Sequence, residues 1–195
     1  MNQQTTPSKG SIKQRGLSLS ALAGVGGVFA WLLPRIKREY RKEGHLLGPT
    51  VGVVYGAYGL HLLAFVLGIK WREPQEPRPL LTGLGWTAAG LGTALFVSGW
   101  RTLPVTDDSA LTTSCLQTGG VYRLSHNLQN VGWAILMLGT SLARRSWAGA
   151  GLAALFGAMF LNYVPDEEAF VEQTYVEVYW RYKALTPRFL GWPSP

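Results

Sequence analysis

The chain has 195 residues, of which 47% are hydrophobic and only 15% are charged, and its formal net charge is +7. The apolar residues stand in long uncharged blocks, which excludes a soluble domain built from ordinary amphipathic elements. The single cysteine excludes an internal disulfide, and the three histidines show no ligand spacing, so we expect no metal site. Because basic residues commonly flank membrane helices, we expect no nucleic-acid partner either.

The N-terminal region combines a polar tail with an apolar block. Residues 1–16 are rich in Gln, Thr, Ser and Lys, and we predict that they are disordered. Residues 17–33 carry no charge, and the basic residues before them resemble the start of a secretion signal. No small-residue cleavage pattern follows, since the chain continues directly into the basic stretch 34–38. We therefore interpret 17–33 as an uncleaved first membrane helix.

Four further apolar blocks follow, at residues 46–69, 80–100, 131–143 and 147–164. Three of them are close to the roughly 20 residues that cross a bilayer core as a helix, whereas 131–143 is shorter. The blocks are apolar on all faces, and glycines recur in them, which lets helices approach closely. The sequence therefore predicts an all-α, multi-pass membrane helical bundle of about five transmembrane helices. Residues 17–195 are expected to form a single membrane domain.

The segment 166–185 has a different pattern. Pro165 is expected to end or kink the fifth helix, and Asp166 is a suitable N-cap for a new one. Apolar and aromatic residues then recur at helical spacing on one face, while charged residues lie largely on the other. We predict a C-terminal amphipathic helix that lies at the membrane surface or across the mouth of the bundle.

The orientation in the membrane rests on the charges around the first helix. Five helices place the two termini on opposite sides of the membrane. The bias comes from five basic residues after the first helix and three before it: Arg35, Lys37, Arg38, Arg41 and Lys42 against Lys9, Lys13 and Arg15. Since basic residues favour the cytoplasmic side, we expect an external N-terminus and a cytoplasmic C-terminus.

Two polar clusters bracket the last apolar hairpin. The first cluster is residues 118–132, and the second is Asp166–Glu168, followed by the aromatic and charged run 175–183. Ionisable and amide side chains beside membrane segments are costly unless they meet a partner, water or a ligand. A helical hairpin brings its two ends to the same side of the membrane, so the clusters are expected to converge on one pocket. This arrangement indicates a membrane-embedded enzyme site.

From about Gln117 to Leu190 the sequence resembles the isoprenylcysteine carboxyl methyltransferase and phospholipid methyltransferase family. The family pattern is Gly-x-Tyr-Arg, then Arg-His-Pro-x-Tyr-x-Gly, and after a hairpin Glu-Glu, spaced tyrosines and a Pro-Arg ending. The matching residues in this chain are Gly120, Tyr122, Arg123, Glu167, Glu168, Tyr175, Tyr179, Tyr182, Pro187 and Arg188. The register runs without a gap, which makes the resemblance specific.

The departures from the family pattern fall in its second motif. In the ungapped register the family's Arg, His and Pro fall on His126, Asn127 and Leu128, and its Tyr and Gly fall on Asn130 and Gly132. A shift of one residue keeps His126 as the family's histidine but breaks the other spacings, so we favour the ungapped register. The imidazole and the two amides are still side chains of hydrogen-bonding types. The departure leaves the acceptor and the capacity for turnover open.

The resemblance implies a membrane enzyme that uses S-adenosylmethionine. The cofactor-binding residues that it implies are Tyr122, Arg123, His126, Asn127, Asn130, Gly132, Glu167 and Glu168. Either glutamate is able to pair with the ammonium of the cofactor, and Arg123 with His126 is able to neutralise its carboxylate. Tyr175 and Tyr179 are expected to contact the acceptor. No catalytic residue is assigned.

Several alternatives stay open at this point. The acceptor is a prenylcysteine-like carboxylate, a lipid amine or a small hydrophobic thiol, which would enter sideways from the bilayer. The chain is alternatively a membrane reductase of the sterol-reductase type with a nicotinamide cofactor, or a divergent non-catalytic protein of the same fold. The residues also have explanations without a cofactor. The glutamates would stabilise a helix N-terminus, and Arg123 would extend to lipid headgroups. The tyrosines would lie in the aromatic belt at the membrane interface.

Overall fold

The computed structural model describes residues 9–70, 76, 78–102 and 116–191, with side chains from residue 12 onward. Its helices are α1 (Lys9–Glu43), α2 (Gly48–Lys70), α3 (Pro79–Thr102), α4 (Leu128–Arg144) and α5 (Trp147–Leu185), with a short 3₁₀ helix at Gly120–Arg123. The described part of the chain contains no strand, so the prediction of an all-helical bundle is confirmed.

Four of the helices, α1, α2, α3 and α5, are long and apolar enough to cross a membrane. Helix α4 has 17 residues, which is the lower end of the length that spans a bilayer core. It is therefore shorter than the other predicted spans, as the short apolar block 131–143 indicates. The protein is a multi-pass integral membrane protein in which α4 packs against α3 and α5.

Helix α1 extends beyond the predicted span 17–33 at both ends. Residues 9–16, which were expected to be disordered, are helical, while residues 1–8 of that tail lie outside the described residues. The helix also continues through Pro34, because membrane helices tolerate a proline whose carbonyl partner finds other contacts. Its 35 residues extend over about 52 Å, more than the roughly 30 Å of a bilayer core. The basic end after Pro34 therefore reaches beyond the core.

Helix α5 corrects the predicted boundary at Pro165. The helix continues through Pro165, and its backbone becomes non-helical only at Val176, where φ is 33° and ψ is −102°. Asp166 does not begin a separate surface helix. Its carboxylate pairs with Arg41 Nε at 2.7 Å and Lys37 Nζ at 3.6 Å, which holds this part of α5 against α1. Helix α5 therefore carries residues 166–175 into the bundle, and only 177–185 follow the kink.

A seam of small residues joins α3 and α4. Gly85, Gly92 and Gly99 recur every seven residues along α3, and Gly132 and Gly139 do so along α4. A Cβ atom on Gly132 would lie 2.5 Å from the backbone nitrogen of Phe96, and one on Gly139 would lie 2.5 Å from that of Ala89. Small residues at this spacing let the two backbones touch along their whole length. The seam fixes the N-terminus of α4, where the candidate site begins.

Candidate functional site

A cavity of about 160 Å³ lies where the loop before α4 meets α5. Seven of the predicted site residues line it: Tyr122, His126, Asn127, Glu167, Glu168, Tyr175 and Tyr179. The 3₁₀ helix and the loop after it contribute the first three, and α5 contributes the others. The two polar clusters of the sequence are therefore adjacent in space.

The side chain of Asn127 faces the cavity because another residue supplies the turn at the start of α4. Ser125 Oγ accepts a hydrogen bond from the backbone nitrogen of Asn127 at 3.0 Å. Asn127 occupies the N-cap position, yet its side chain forms no capping hydrogen bond. Its amide nitrogen instead lies 3.5 Å from Glu168 Oε1 and donates to the carbonyl oxygen of Arg188 at 3.2 Å.

Glu168 is buried and neutralised by a residue that the sequence analysis did not include in the site. Arg188 Nη2 pairs with Glu168 Oε2 at 2.7 Å, and Arg188 Nε donates to Oε1 at 3.2 Å. A guanidinium that contacts both carboxylate oxygens fixes their orientation as well as their charge. His126 Nδ1 lies 3.7 Å from Oε1. The sequence contained one indication that Arg188 belongs to the site, because this residue matches the arginine of the Pro-Arg ending in the family pattern.

Glu167 has a different environment from its neighbour. Its side chain lines the same cavity, but none of the hydrogen bonds or ion pairs between described residues involves its carboxylate. The adjacent carboxylates are therefore not equivalent. Glu168 is held by Arg188, whereas Glu167 lines the cavity without an ion-pair partner among the described residues.

The segment after α5 returns along the loop before α4 and closes one side of the site. His126 donates its backbone N–H to the carbonyl oxygen of Pro187 at 3.1 Å, and Gly191 donates to that of Leu124 at 3.2 Å. Ser125 Oγ donates to the carbonyl oxygen of Arg188 at 3.3 Å. These bonds place Arg188 opposite Glu168.

Besides Glu168, two residues at the cavity have buried polar atoms that form no hydrogen bond within the described part of the chain. These atoms are the two ring nitrogens of His126 and the hydroxyl of Tyr179. The His126 ring packs between two tyrosine rings, with centroid distances of 4.6 Å to Tyr182 and 5.9 Å to Tyr179. Because buried polar groups are normally paired, these atoms are suited to contact a bound ligand.

Tyr122 and Tyr182 form the frame of the site. Burial raises the pKa of Tyr122 to about 12, so its hydroxyl stays protonated and donates to the carbonyl oxygen of Gly99 at 3.2 Å. Tyr182 donates its hydroxyl to the carbonyl oxygen of Tyr122 at 2.7 Å and lies 3.4 Å from that of Ser125. These bonds connect α3, the loop and the end of α5.

We expect Tyr182→Phe to destabilise the protein by about 1–3 kcal/mol, because buried carbonyl oxygens then lose their donor. Thermal unfolding of the detergent-purified protein measures the change. The control is Tyr55→Phe, since Tyr55 is 51% exposed and its substitution should have little effect. Equal unfolding temperatures for both variants would contradict the assigned role of Tyr182.

The remaining predicted site residues do not line this cavity. Arg123 is exposed and lines a separate cavity of about 560 Å³ with Glu177 and Arg181, so it lies apart from the predicted pairing with His126. Asn130 is within α4, and Gly132 faces α3 in the seam described above. Tyr182 borders both cavities and separates them.

Comparison with known proteins finds one family whose model matches this region. Residues 82–178 match the model of the family described as phospholipid methyltransferase. The match begins in α3, ends shortly after the kink in α5, and contains the residues that line the cavity except Tyr179 and Tyr182, which lie just beyond it. It confirms the resemblance found in the sequence. No curated protein and no solved structure matches the chain significantly.

Proposed function

We propose that this membrane protein transfers a methyl group from S-adenosylmethionine to a lipophilic acceptor, because residues 82–178 match the model of the phospholipid methyltransferase family. The observation that carries the proposal is the unpaired carboxylate of Glu167, which faces a cavity that also presents the unpaired polar atoms of His126 and Tyr179. When bound, the cofactor supplies an electrophilic methyl group on a sulfonium.

The residues present fit the amino-acid end of such a cofactor. Glu167 would hold the ammonium, and Asn127 and His126 would contact the polar atoms beside it. The cavity of about 160 Å³ is smaller than the roughly 300–1,000 Å³ of pockets that enclose a whole small molecule. It is therefore suited to part of the cofactor. Glu168, with Arg188 as its counter-ion, would position the loop that carries Asn127.

The aromatic side chains would shape the reacting region. Tyr175 and Tyr179 line the cavity on the α5 side, and tyrosine faces attract cationic groups such as a sulfonium. Methyl transfer is a direct displacement, so the protein mainly aligns the reactants and excludes water. The acceptor is a prenylcysteine-like carboxylate, a lipid amine or a small thiol.

Binding measurements test the proposal directly. S-adenosylhomocysteine, S-adenosylmethionine and NADPH are titrated calorimetrically into the detergent-purified protein, and methyl-labelled cofactor is then supplied with one acceptor of each class. We expect binding of the two adenosyl ligands, no binding of NADPH, and label in one acceptor. Binding of NADPH alone would instead identify a reductase, and binding of none of the three would contradict an enzyme of either kind.

We also propose that the C-terminus and the site face the cytoplasm. The site lies at the end of the bundle that contains the basic residues following α1, because Asp166 pairs with Lys37 and Arg41. Reporter fusions after Pro195 test the orientation. A signal only from the outer side of the membrane would overturn it.

A further inference from the structure

A basic groove lies at the end of α1, apart from the candidate site. Its cavity of about 420 Å³ is lined by Leu33, Pro34, Lys37, Arg38, Arg41 and Lys42. We refer to these six residues as the α1 basic groove. It shares no lining residue with the cavities around Glu167 and Arg123, and the proposed methyl transfer uses none of its side chains.

The groove directly follows the uncharged block of α1, which indicates a position at the membrane surface. Leu33 is the last residue of the uncharged block, and Trp31, an aromatic residue of the kind found at membrane interfaces, is 59% exposed. Lys37 and Arg38 follow Leu33 by four and five residues, which is about 6–8 Å along a helix. The polar layer on each side of a bilayer core is about 5–8 Å thick. If the uncharged block 17–33 spans the core, the cations would lie beside lipid phosphates and Leu33 beside the acyl chains.

The groove holds more positive charge than the protein neutralises. Asp166 is the carboxylate that contacts it, through Arg41 at 2.7 Å and Lys37 at 3.6 Å. Arg38 and Lys42 are exposed and form no ion pair with any described residue.

The neighbouring glutamates of α1 leave this excess in place. Glu39 points away from the groove, since it is buried and accepts hydrogen bonds from Thr50 in α2 and from the backbone N–H of Leu47 just before that helix. Glu43 is exposed at the end of α1 and pairs with none of the groove cations among the described residues.

We propose that the α1 basic groove binds the phosphate of an anionic lipid, and that Asp166 competes with this phosphate for Lys37 and Arg41. Arg38 and Lys42 would pair with the headgroup first, because they have no carboxylate of their own. Arginine is suited to phosphate oxygens through its planar set of donors. The apolar residues Leu33 and Pro34 favour a ligand that carries an acyl chain over free phosphate.

The competition predicts opposite effects for two kinds of substitution. Removing the free cations with Arg38→Gln and Lys42→Gln should weaken the association with anionic lipid. Removing the internal competitor with Asp166→Asn should strengthen it, since Lys37 and Arg41 then become available. A cluster with a purely structural role would not respond in these two directions.

The experiment uses the full chain reconstituted in phosphatidylcholine vesicles. Spin-labelled phosphatidylglycerol and spin-labelled phosphatidylcholine report the fraction of each lipid that the protein immobilises, which gives a relative association constant. We expect a preference for phosphatidylglycerol that falls about tenfold in the double variant Arg38→Gln/Lys42→Gln. It should rise in Asp166→Asn. Thermal unfolding confirms that each variant is folded.

A matched control separates a site from general charge attraction. Lys70→Gln/Arg78→Gln removes two exposed charges at the opposite end of the bundle and should leave the preference unchanged. An equal loss in this control, or no preference in the wild type, would overturn the proposal. Displacement of the lipid by millimolar inorganic phosphate would indicate a soluble anion as the ligand and would also overturn it. None of these readouts depends on methyl transfer, so the test stands apart from that of the proposed function.

Discussion

Changing Glu167 and Glu168 together to Gln is expected to weaken the binding of S-adenosylhomocysteine by at least about tenfold. A hydrogen bond to a charged group contributes roughly 1.5–3 kcal/mol, and 1.4 kcal/mol corresponds to a factor of ten in affinity. Glutamine keeps the size and much of the hydrogen bonding of glutamate, so the loss reports the charge. Calorimetric titration into detergent-purified wild type and variant measures it.

The single variants should divide this effect into two parts. Glu167→Gln should lower the affinity with little change in unfolding temperature, because its carboxylate pairs with no described residue. Glu168→Gln should also destabilise the protein, since it leaves the guanidinium of Arg188 without its counter-ion.

Glu177→Gln is the matched control, as its side chain is 74% exposed and lies outside the cavity. If Glu167→Gln binds as tightly as this control, then Glu167 does not hold the ammonium. If the wild type binds neither adenosyl ligand, the methyltransferase proposal fails as a whole.

The second large effect is expected in the seam between α3 and α4. A Cβ atom on Gly92 would overlap the backbone of Leu136 and would lie 2.7 Å from the carbonyl oxygen of Gly132. Backbone atoms move only if the two helices separate, so Gly92→Ala should cost about 1–3 kcal/mol or more. Gly90→Ala adds the same methyl group two residues away, where no heavy atom lies within 4 Å.

We expect Gly90→Ala to be neutral or to stabilise α3 by up to about 1 kcal/mol, because alanine is the better helix former. Circular dichroism during thermal unfolding measures both variants. Gly92→Ala should also weaken S-adenosylhomocysteine binding, since α4 begins at Leu128, directly after the cavity residue Asn127. Similar unfolding temperatures for the two variants would show that the helices have room to adapt.

Hydropathy predicted the bundle because the length of an apolar block must match the thickness of the bilayer core that its helix crosses. Helix ends were less predictable, and both prolines show why. Pro34 and Pro165 lie inside continuous helices, although proline usually ends or bends a helix in water. Ion pairs from Asp166 to α1 support the continuing helix, and such contacts join residues more than a hundred positions apart. A local pattern contains no information about them.

The candidate site shows the same division between local and long-range information. The hairpin predicted that the two polar clusters would be adjacent, but the motif did not indicate where each side chain points. Tyr122 and Arg123 are neighbours in a 3₁₀ helix, yet they line different cavities. Tyr122 is buried beside the candidate site, whereas Arg123 is exposed and lines the separate cavity with Glu177 and Arg181. The ion pair between Glu168 and Arg188 depends on the course of the chain after the kink at Val176, which no spacing rule describes.

The hydrogen bonds from residues 187–191 to the loop before α4 have a consequence for biosynthesis. The loop leaves the ribosome before α5, yet its partners follow α5 in the chain. All the helices must therefore have been synthesised before Pro187, Arg188 and Gly191 dock and before Arg188 reaches Glu168. A nascent chain that stops between Glu168 and the end of α5 contains both glutamates but lacks the segment that orders Glu168, so translation completes the site last.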